Sequence, residues 1–506
     1  MRREKLIIIA CVACYLLLAV LLANVRAPQS DEGHFAEGAV NLAFHGRLVL
    51  PTWTPWISTL DQRVYAMMPV YFFGLATWFR VFGVGMLTMR YFSVLWGCIL
   101  VVSYFLLLRQ SSKDRILGII ALFVLAFSYD VVNLTTARYD GMAAGLVALG
   151  LGLYAVLRRY HMAVAILVAN SCIAAAAMCH PYGAFGFVYF GIFFLMLDRD
   201  RFRFSQLALI ALPYVVALAA WGTYIAKDPA MFRAQFGGNA SAHTVSVFRP
   251  VAAVVSELRE RYWPAFGGGG PGASAYARVH LAILLLYILA YAASWLTPAI
   301  RTERVNRAVL FCAAFGFFAL TFAEGTRGYV YLAHVIGFYS LVVAIWLRHL
   351  IVTGGWQRLT AFAIMWCLAL FSVATIAYRA HQNSYQRAFV PAAAYLKAHL
   401  QDRQLVFAGG DFGIPLGFAD HVLDDRQLGY RNHIRPDYIV IDRDYASSFH
   451  EEKAHKPDVY ANVMQTLQEY QLVFERQAGA DYYRIYARPD LNPGQSHVGS
   501  SATTTP

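Results

Sequence analysis

The chain has 506 residues, of which 58% are hydrophobic and 14% are charged, and its formal net charge is +12. Soluble domains carry about 25% charged residues, so the composition excludes an ordinary soluble protein and predicts a polytopic α-helical membrane protein. The positive charge does not indicate nucleic-acid binding, because the basic residues form short clusters between apolar stretches. The seven cysteines all lie inside apolar stretches, which argues against a disulfide framework or a CxxC zinc motif.

About eleven apolar stretches approach the ~20 residues that a membrane-spanning helix needs. They cover residues 6–23, 86–108, 116–132, 141–157, 162–179, 184–197, 207–226, 279–295, 308–323, 329–347 and 359–377. The first stretch follows a basic N-terminus and could be a signal peptide. We expect a retained anchor, because the stretch is long and the later chain needs an odd number of crossings.

Basic clusters between these stretches predict the orientation of the chain, because cytoplasmic loops are enriched in lysine and arginine. The clusters lie at residues 2–5, 109–115, 158–159, 199–203, 301–307 and 348–358. With these loops in the cytoplasm, the outer face receives residues 24–65, 130–138, 180–183, 227–278, 324–328 and everything after 378. The outer loop at 227–278 contains a flexible glycine run at 267–270.

One further apolar segment, Met67–Phe82, tests this orientation. If the segment crossed the membrane, all but the first basic cluster would move to the outer face. It is short, rich in aromatic residues and carries Arg80 near its end. We therefore expect a helix that lies in the outer interface. The alternative is a short true span with the rest of the chain inverted.

The chain changes composition after residue 377, which predicts a boundary between a transmembrane domain at 1–377 and a soluble domain at 378–490. Helix patterns at 387–400 and 460–470 alternate with strand patterns at 405–408, 438–442 and a hairpin between 472 and 486. This alternation predicts a small α/β domain on the outer face. The polar residues 491–506 are expected to be disordered.

An acidic motif, Ser-Asp-Glu-Gly-His-Phe-Ala-Glu at residues 30–37, follows the first apolar stretch. It places Asp31 and Glu32 just outside a membrane, where a low dielectric disfavours their charged forms. Displacing a phosphate from a sugar carbon needs a base, a role that Asp31 can fill while Glu32 orients it or raises its pKa. The alternative is a solvated pair of acids at the membrane surface.

The motif and its context resemble the first outer loop of the GT-C class of membrane glycosyltransferases. More closely, they resemble the protein O-mannosyltransferases and the lipid A aminoarabinose transferase. The resemblance extends through Phe82–Gly85, Met89-Arg90, Ala137–Asp140, the His-Pro-Tyr-Gly turn at 180–183 and Arg327–Tyr329. It implies a polyprenyl-phosphate sugar as donor and transfer on the outer face of the membrane. It further implies a location in the inner membrane of a bacterium, with the C-terminal domain in the periplasm.

One position departs from this resemblance. The aminoarabinose transferases carry Glu-Lys-Pro before the interfacial helix, where this chain has Met67-Met68-Pro69. The lysine that would meet the lipid phosphate is therefore missing. This difference leaves open the identity of the donor, any metal held by the glutamate, and whether the chain is active.

Five residues are candidates for binding substrate or phosphate: Arg138, Asp140, His180, Arg327 and Tyr331. Arg327 is expected to hold the lipid phosphate, because a guanidinium matches phosphate with two hydrogen bonds. The alternative for Arg327 is an ordinary loop salt bridge. Arg138 and Asp140 could line the substrate cavity, or Arg138 could snorkel while Asp140 sits in a first helical turn. His180 could bind phosphate or acceptor, or simply end a helix before a proline turn.

Cofactors and rival functions complete the predictions. His34 and Glu37, together with Asp31, could bind a divalent cation, although three such residues within seven positions do not identify a metal site. We expect an inverting sugar transferase that acts on a lipid, glycan or protein acceptor. The rivals are a transporter or flippase of a lipid-linked precursor, for which inverted repeats and charges inside the helices would be expected, and a non-catalytic scaffold with the same fold.

Overall fold

A computed structural model of the chain describes residues 2–112, 114–135, 138–245, 249–267 and 275–491. The contacts within the chain divide it into two compact units. The first, the helical unit, comprises Met1–Asn24, Tyr65–Gly83 and Leu87–Ala380. The second unit comprises Val25–Val64, Val84–Met86 and His381–Pro506. The glycine-rich stretch 268–274 and the tail 492–506, both predicted to be flexible, lie outside the described residues.

Nine helices in the described part of the chain are long and apolar enough to cross a membrane, which confirms a polytopic helical protein. Two further predicted spans, at 116–132 and 162–179, form shorter apolar helices of 12 and 16 residues. The helices of the helical unit are Arg2–Val25, Val70–Phe82, Met86–Ser111, Arg115–Ala126, Tyr129–Val132, Tyr139–Leu157, Met162–Ala177, Phe185–Asp198, Ser205–Ile225, Pro229–Ala242, Pro250–Ser256, Trp263–Ala265, Ala275–Leu296, Pro298–Arg301, Arg304–Ala323, Ile336–Thr353 and Gly355–Gln382.

The segment Met67–Phe82 contains a helix of 13 residues, Val70–Phe82. Its buried residues, Tyr71, Phe72, Leu75, Ala76 and Phe79, follow the spacing of a single helical face. The helix is shorter than the ~20 residues of a full span, and so is Arg115–Ala126. Its place in the membrane interface stays a prediction.

Ion pairs within the helical unit join loops that were predicted to lie on the same side. Arg109 pairs with Glu4 at 2.5 Å, and Arg348 pairs with Asp114 at 2.5 Å. Arg158 pairs with Asp198, the last residue of helix Phe185–Asp198 and directly before the predicted cytoplasmic cluster at 199–203, at 2.6 Å. These contacts agree with the predicted grouping of these loops on one side.

The long loop at 227–278 is largely helical where it is described. Its first helix, Pro229–Ala242, is capped by Asp228, whose carboxylate accepts the Met231 backbone N–H at 2.9 Å. Gln235 is buried in this helix and accepts the backbone N–H groups of Tyr65 and Ala66 at 2.7 and 3.2 Å. The loop therefore fixes the chain just before Met67.

The second unit contains a five-stranded sheet with the order β2-β1-β3-β5-β4. The strands are β1 Val406–Phe407, β2 Val422–Leu423, β3 Tyr438–Ile441, β4 Gln471–Ala478 and β5 Asp481–Ala487. β1 pairs in parallel with β2 and β3, whereas β5 pairs antiparallel with β3 and β4. The central strand β3 is buried at all four residues, as its uninterrupted apolar sequence predicts.

Helices pack against this sheet and complete the predicted α/β architecture. The helices of the second unit are Ser30–His45, Val390–His399, Gly413–Leu416, Arg443–His455 and Pro457–Gln468. Phe407, Ile439, Tyr445 and Val463 are among the residues that form its apolar core. Arg443–His455 was not predicted, because its sequence is strongly polar apart from a few positions such as Tyr445 and Phe449, which are buried in the core.

The first outer segment, Val25–Val64, is part of the second unit together with the chain after Ala380. The sequence predicted this segment to be part of an outer loop of the transmembrane domain. Its helix Ser30–His45 instead packs on the turn Gly410–Phe412 of the C-terminal region. The acidic motif therefore belongs to a unit that is built from two distant parts of the chain.

Candidate functional site

A cavity of about 380 Å³ lies in the helical unit, lined by residues of the predicted outer loops, of the segment Met67–Phe82 and of the predicted spans that adjoin these loops. Its lining comes from six separate parts of the chain: the segment before Val70, the start of helix Tyr139–Leu157, the His180 turn, residues 236–245, the end of helix Arg304–Ala323 and the Tyr331 segment. The lining residues are Ala66, Met67, Met68, Tyr139, Cys179, His180, Pro181, Tyr182, Phe236, Asn239, Ala240, His243, Thr244, Val245, Phe322, Ala323 and Tyr331.

Arg138 and Asp140 form a buried ion pair beside this cavity. Arg138 Nε donates to Asp140 Oδ2 at 3.0 Å, and both residues are less than a tenth exposed. Asp140 lies in the first turn of helix Tyr139–Leu157, where the helix dipole favours a negative charge. The guanidinium stands over the ring of Tyr139 at 5.6 Å. The pair therefore holds a positive group next to the cavity lining.

Two histidines converge on the other oxygen of Asp140. Nε2 of His334 lies 3.4 Å from Asp140 Oδ1, and Nε2 of His180 lies 3.6 Å from the same atom. The rings of His180 and Tyr139 are stacked at 4.5 Å, and Tyr331 lies 5.6 Å from His180. The contacts to Oδ1 are longer than the 2.7–3.2 Å of an ordinary N–H···O bond.

The protonation of His180 follows from its hydrogen bonding. Its Nδ1 accepts the backbone N–H of Tyr182 at 3.0 Å, so Nδ1 carries no hydrogen. Burial holds the pKa of His180 well below its ordinary value, although Asp140 opposes that shift. The ring is therefore neutral near pH 7, and its proton lies on Nε2, on the side of Asp140.

Asp140, His180 and His334 are also a candidate metal site. Their ligand atoms lie within 4.8 Å of one another and all three residues are buried, the one such group in the described part of the chain. Tetrahedral zinc with bonds of about 2.0–2.1 Å separates its ligands by about 3.3 Å, close to the distances around Oδ1. A metal would, however, need Nε2 of His180 without its proton. The residues therefore fit a metal only if His180 gives up its bond from Tyr182.

A second buried cluster joins the long outer loop to the segment after helix Arg304–Ala323. Glu257 bridges two arginines, with Oε1 2.7 Å from Arg261 Nε and Oε2 2.7 Å from Arg327 Nη1. Arg261 Nη2 also contacts Glu324 Oε2 at 2.6 Å. Arg261, Glu257 and Glu324 are fully buried. The four residues form an ion network in which each charge has an opposite neighbour.

Arg327 is held tightly inside this network. Besides Glu257, its Nη1 donates to the backbone carbonyls of Thr321 and Glu324, both at 2.8 Å. The backbone of Arg327 is left-handed, with φ +58°, a conformation that costs energy for a bulky residue and persists only where neighbours impose it. These contacts indicate that Arg327 stabilises the turn in which it lies.

The ion network also supports two walls of the cavity. The Arg261 guanidinium lies 5.9 Å from the ring of Tyr331, and His243 Nδ1 lies 3.0 Å from Glu324 Oε1. Burial alone would raise the pKa of Glu324, but hydrogen bonds from His243 and Thr326 and the charge of Arg261 lower it to about 2. Glu324 is therefore ionised and positions His243 in the lining.

The acidic motif lies in the second unit and is largely occupied by contacts within it. Ser30, His34 and Glu37 share one face of helix Ser30–His45. The Ser30 hydroxyl donates to Asp424, and His34 Nε2 lies 3.1 Å from the same carboxylate. The Ser30 oxygen also accepts the Gly410 N–H at 3.1 Å. This face attaches the helix to the C-terminal region.

Glu37 is bound on the same face. Its carboxylate accepts the backbone N–H of Thr52 at 3.1 and 3.2 Å and also accepts the Thr52 hydroxyl. Burial raises the pKa of Glu37 to about 7, despite these hydrogen bonds. Asp31, His34 and Glu37 do not bring ligand atoms together within the 4.8 Å found for the Asp140 group. The contacts of His34 and Glu37 are those of fold-stabilising residues.

Asp31 and Glu32 differ in their surroundings. Glu32 is fully buried and lies 3.4 Å from a guanidinium nitrogen of Arg26. Asp31 is only half-buried and lies in the first turn of the helix. It is one residue, or about 100°, around the helix from Ser30. Asp31 is therefore on a different face from the residues that attach the helix to the C-terminal region.

The structure brings together four of the five predicted binding residues, namely Arg138, Asp140, His180 and Tyr331. Arg327 belongs instead to the neighbouring ion network. Sequence reasoning missed several residues of both clusters. They are His243, Glu257, Arg261 and His334. Glu257 and Arg261 lie four residues apart in a loop, a spacing that signals a helical ion pair; His334 had no comparable signal.

Comparison with known proteins gives matches in structure alone, since no protein-family model matches the chain and no curated protein matches it by sequence. ArnT from Cupriavidus metallidurans bound to undecaprenyl phosphate is similar with a TM-score of 0.58 and 13% identity, over 94% of this chain and 97% of ArnT. The archaeal oligosaccharyltransferase AglB from Archaeoglobus fulgidus, in complex with an inhibitory peptide and a dolichol-phosphate, is similar with a TM-score of 0.56 and 13% identity.

The AglB match covers 95% of this chain and 74% of AglB. A structure of the Archaeoglobus fulgidus oligosaccharyltransferase in complex with Zn and sulfate is similar with a TM-score of 0.55 and 13% identity, over 94% of this chain and 73% of that one. ArnT and AglB are both GT-C glycosyltransferases. The similarity extends over nearly the whole chain and confirms the predicted fold class. The chain is a multi-pass membrane protein with a GT-C fold.

Proposed function

We propose that this chain transfers a sugar from a polyprenyl-phosphate-linked donor to a hydroxyl group of a lipid, glycan or protein acceptor. The observation that carries the proposal is the convergence of Arg138, Asp140, His180 and Tyr331 on one cavity within a GT-C fold. The structurally similar ArnT was solved with undecaprenyl phosphate, which supports undecaprenyl phosphate as the donor lipid here. The site of action is the periplasmic face of a bacterial inner membrane.

The reaction breaks the bond between the anomeric carbon and the phosphate oxygen. The acceptor oxygen attacks that carbon from the opposite face, the polyprenyl phosphate leaves with the bonding electrons, and the configuration inverts. On the sequence motif alone, we assign to Asp31 the role of the general base that takes the proton of the acceptor hydroxyl. Glu32, paired with Arg26, fixes the first turn of the helix that carries Asp31.

Arg138 is the residue to which we assign the leaving phosphate. Its guanidinium is next to Tyr139 of the cavity lining and is oriented through one nitrogen by Asp140. A positive group that is already in place stabilises the charge that develops on the phosphate. Arg327 is the weaker candidate, because Glu257 and two backbone carbonyls already hold its Nη1.

His180 acts as a neutral hydrogen-bond donor in this proposal. The Tyr182 N–H fixes the tautomer with the proton on Nε2, and His180 lines the cavity. The alternative is a divalent cation held by Asp140, His180 and His334, where it would offset the negative charge of the phosphate. The structure with Zn and sulfate concerns a different protein of this fold. Metal analysis of the purified chain separates the two arrangements.

The experiment uses full-length protein in lipid nanodiscs, an undecaprenyl-phosphate sugar and a lipid extract as acceptor, with products read by mass spectrometry. Arg138→Ala should reduce transfer by about 10²–10³-fold, because it removes a positive group placed to stabilise the charge that develops on the leaving phosphate. Arg138→Lys should recover only part of it, since lysine lacks the planar fork. The matched control is Arg348→Ala, which removes an ion pair with Asp114 away from the cavity lining.

Two results would contradict the proposal. If wild-type protein transfers no sugar from any donor tested, and lipid-linked sugars do not accumulate in cells lacking it, the results favour a non-catalytic scaffold with the same fold. If Arg138→Ala transfers sugar as the control does, the phosphate is bound elsewhere, and Arg327 becomes the next candidate.

A further inference from the structure

The carboxyl ends of three parallel strands meet at one edge of the sheet in the second unit. β1 lies between β2 and β3 and is parallel to both. Asp424 directly follows β2, Asp442 directly follows β3, and Asp411 lies four residues after Phe407, the end of β1. Open α/β sheets bind ligands at this edge, where successive strands lie on opposite sides of a central strand.

Asp411 is fully buried at this edge, and neither of its carboxylate oxygens has a hydrogen-bond partner among the described residues. Burial first, and then the charges of Asp442 and Asp444, raise the pKa of Asp411 well above its usual value. Arg426 pairs with Asp424 at 3.4 Å rather than with Asp411. Within the described residues, Asp411 therefore lacks the positive partner that a buried carboxylate needs.

The hydroxyl of Tyr445 is a second buried group at this edge without a hydrogen-bond partner in the described part of the chain. The ring of Tyr445 lies 5.8 Å from the Arg426 guanidinium. Burial first, and then the charge of Asp424, raise the pKa of its hydroxyl. Buried polar groups are ordinarily bonded, so a carboxylate and a hydroxyl that both stay unbonded beside further acids indicate that this edge binds a ligand.

We propose that Asp411 and Asp442 bind a divalent cation of the Mg²⁺ or Ca²⁺ class at the carboxyl edge of the sheet. Oδ1 of Asp442 accepts the Tyr445 backbone N–H at 2.8 Å, which leaves Oδ2 for the ion. Asp444 is only half-buried, so the cluster reaches the surface. Asp411, Asp442 and Asp444 do not all bring oxygens within 4.8 Å of one another. Two carboxylates with water are nevertheless a common coordination for Mg²⁺.

The turn that carries Asp411 also supports the acidic motif. The Gly410 N–H of this turn donates to Ser30 Oγ at 3.1 Å. A bound cation therefore fixes the turn on which helix Ser30–His45 packs, and it takes the place of the proton that the buried carboxyl holds without it. Cation binding does not depend on the proposed function, and it is measured without a sugar donor.

The test measures cation binding by the full-length protein in phosphatidylcholine nanodiscs after removal of metals with EDTA. Mg²⁺ or Ca²⁺ at ten times its Kd, near pH 7, should raise the melting temperature of wild type by about 3–6 °C. Asp411→Asn and Asp442→Asn should lose this rise and weaken binding by about tenfold or more in isothermal titration calorimetry, because each removes one ligand charge. Asparagine also caps helices, so Asp442→Asn keeps the cap of helix Arg443–His455.

Two control variants locate the response. Asp420→Asn removes an exposed carboxylate of the second unit and should respond as wild type does. His334→Ala removes a ligand atom of the Asp140–His180–His334 group and should also keep the response. In EDTA near pH 7, Asp411→Asn should be at least as stable as wild type, because a buried carboxylate without a partner is costly.

Three results would overturn the proposal. A melting temperature of wild type that neither ion changes would mean that this edge binds no such cation. An unchanged response in Asp411→Asn would place the ion elsewhere in the protein. A response that disappears in His334→Ala would belong to the Asp140–His180–His334 group instead.

Discussion

Two buried polar clusters, one in each unit, differ in how their hydrogen bonds are completed. In the second unit, Ser30 and Asp424 bond to each other, and Glu37 is bonded by Thr52. Beside the cavity of the helical unit, Asp140 Oδ1 has two histidine nitrogens at 3.4 and 3.6 Å and no closer partner among the described residues. Polar groups that satisfy each other stabilise a fold, whereas groups that stay underbonded beside a cavity are suited to a ligand.

The residues of the acidic motif also fall into two groups, which lie on neighbouring faces of one helix. Ser30, His34 and Glu37 attach the helix to its own unit, while Asp31 lies on a neighbouring face. The motif is therefore only partly a catalytic signature. The predictions below test the division into fold-stabilising and functional residues.

The largest effect on stability is expected in the ion network of the helical unit. Arg327→Ala should destabilise the protein by about 3–5 kcal/mol, because it leaves Glu257 buried with one partner fewer. Thermal unfolding of the purified protein measures the change. A fully stable Arg327→Ala protein that has lost only donor binding would contradict the structural role and favour the phosphate role predicted from sequence.

A somewhat smaller effect is expected at Gly33, where the motif helix meets the turn at Gly410. A Cβ on Gly33 would overlap the backbone of Gly410, so Gly33→Ala should cost about 1–3 kcal/mol or more. The control is Gly191→Ala, in helix Phe185–Asp198, where a Cβ meets nothing within 4 Å. Limited proteolysis and thermal unfolding should separate the two variants. Equal stability of both would mean that the helix and the turn do not pack as described.

A further effect concerns pH and Asp411, one of several buried side chains of the second unit with polar atoms that lack a hydrogen-bond partner among the described residues. Asp411 is fully buried, and neither carboxylate oxygen has a hydrogen-bond partner among the described residues. Burial first, and then the charges of Asp442 and Asp444, raise its pKa well above the ordinary value. The folded state therefore holds this proton to a higher pH than the unfolded state, in which an aspartate has a pKa of about 3.9.

Stability from Asp411 is thus fully present below pH ~4 and is lost as the pH rises towards its folded-state pKa, at up to about 1.4 kcal/mol per pH unit. Asp411→Asn should flatten the decline in melting temperature between pH 5 and pH 8. Glu37, with a folded-state pKa of about 7, contributes a decline of the same sign in both proteins. Parallel pH profiles for wild type and Asp411→Asn would show that Asp411 is not buried in this way.

The fold class followed from sequence because long apolar helices and a shift in composition are local signals. The predicted span at 116–132 is divided in the structure, because helix Arg115–Ala126 ends there and Ser128 caps a separate short helix, Tyr129–Val132. The membership of Val25–Val64 in the second unit could not be predicted. It depends on pairs such as Ser30 with Asp424, which are separated by almost 400 residues.

The candidate site was predicted only in part, because some of its residues stand in local motifs and others are brought together by packing. Arg138, Asp140 and His180 stand in short motifs that the GT-C resemblance singled out. Arg327 takes its structural role in part from Glu257, which lies 70 residues away in another loop, so no local pattern links the two residues. His334 reaches Asp140 only through the packing of the segment Tyr329–His334. Polar side chains in a membrane protein acquire their roles from such partners more than from their neighbours in sequence.

The most direct test of the account compares sugar transfer by Asp31→Asn and Glu37→Gln, two changes in one helix that each remove a single carboxylate. If Asp31 is the general base, Asp31→Asn should lower the rate of transfer from an undecaprenyl-phosphate donor by about 10²–10⁴-fold while the protein stays folded. Glu37→Gln, and to a lesser degree Glu32→Gln, should retain most of the activity of the wild type. Near-normal turnover by Asp31→Asn would contradict the catalytic role of the motif.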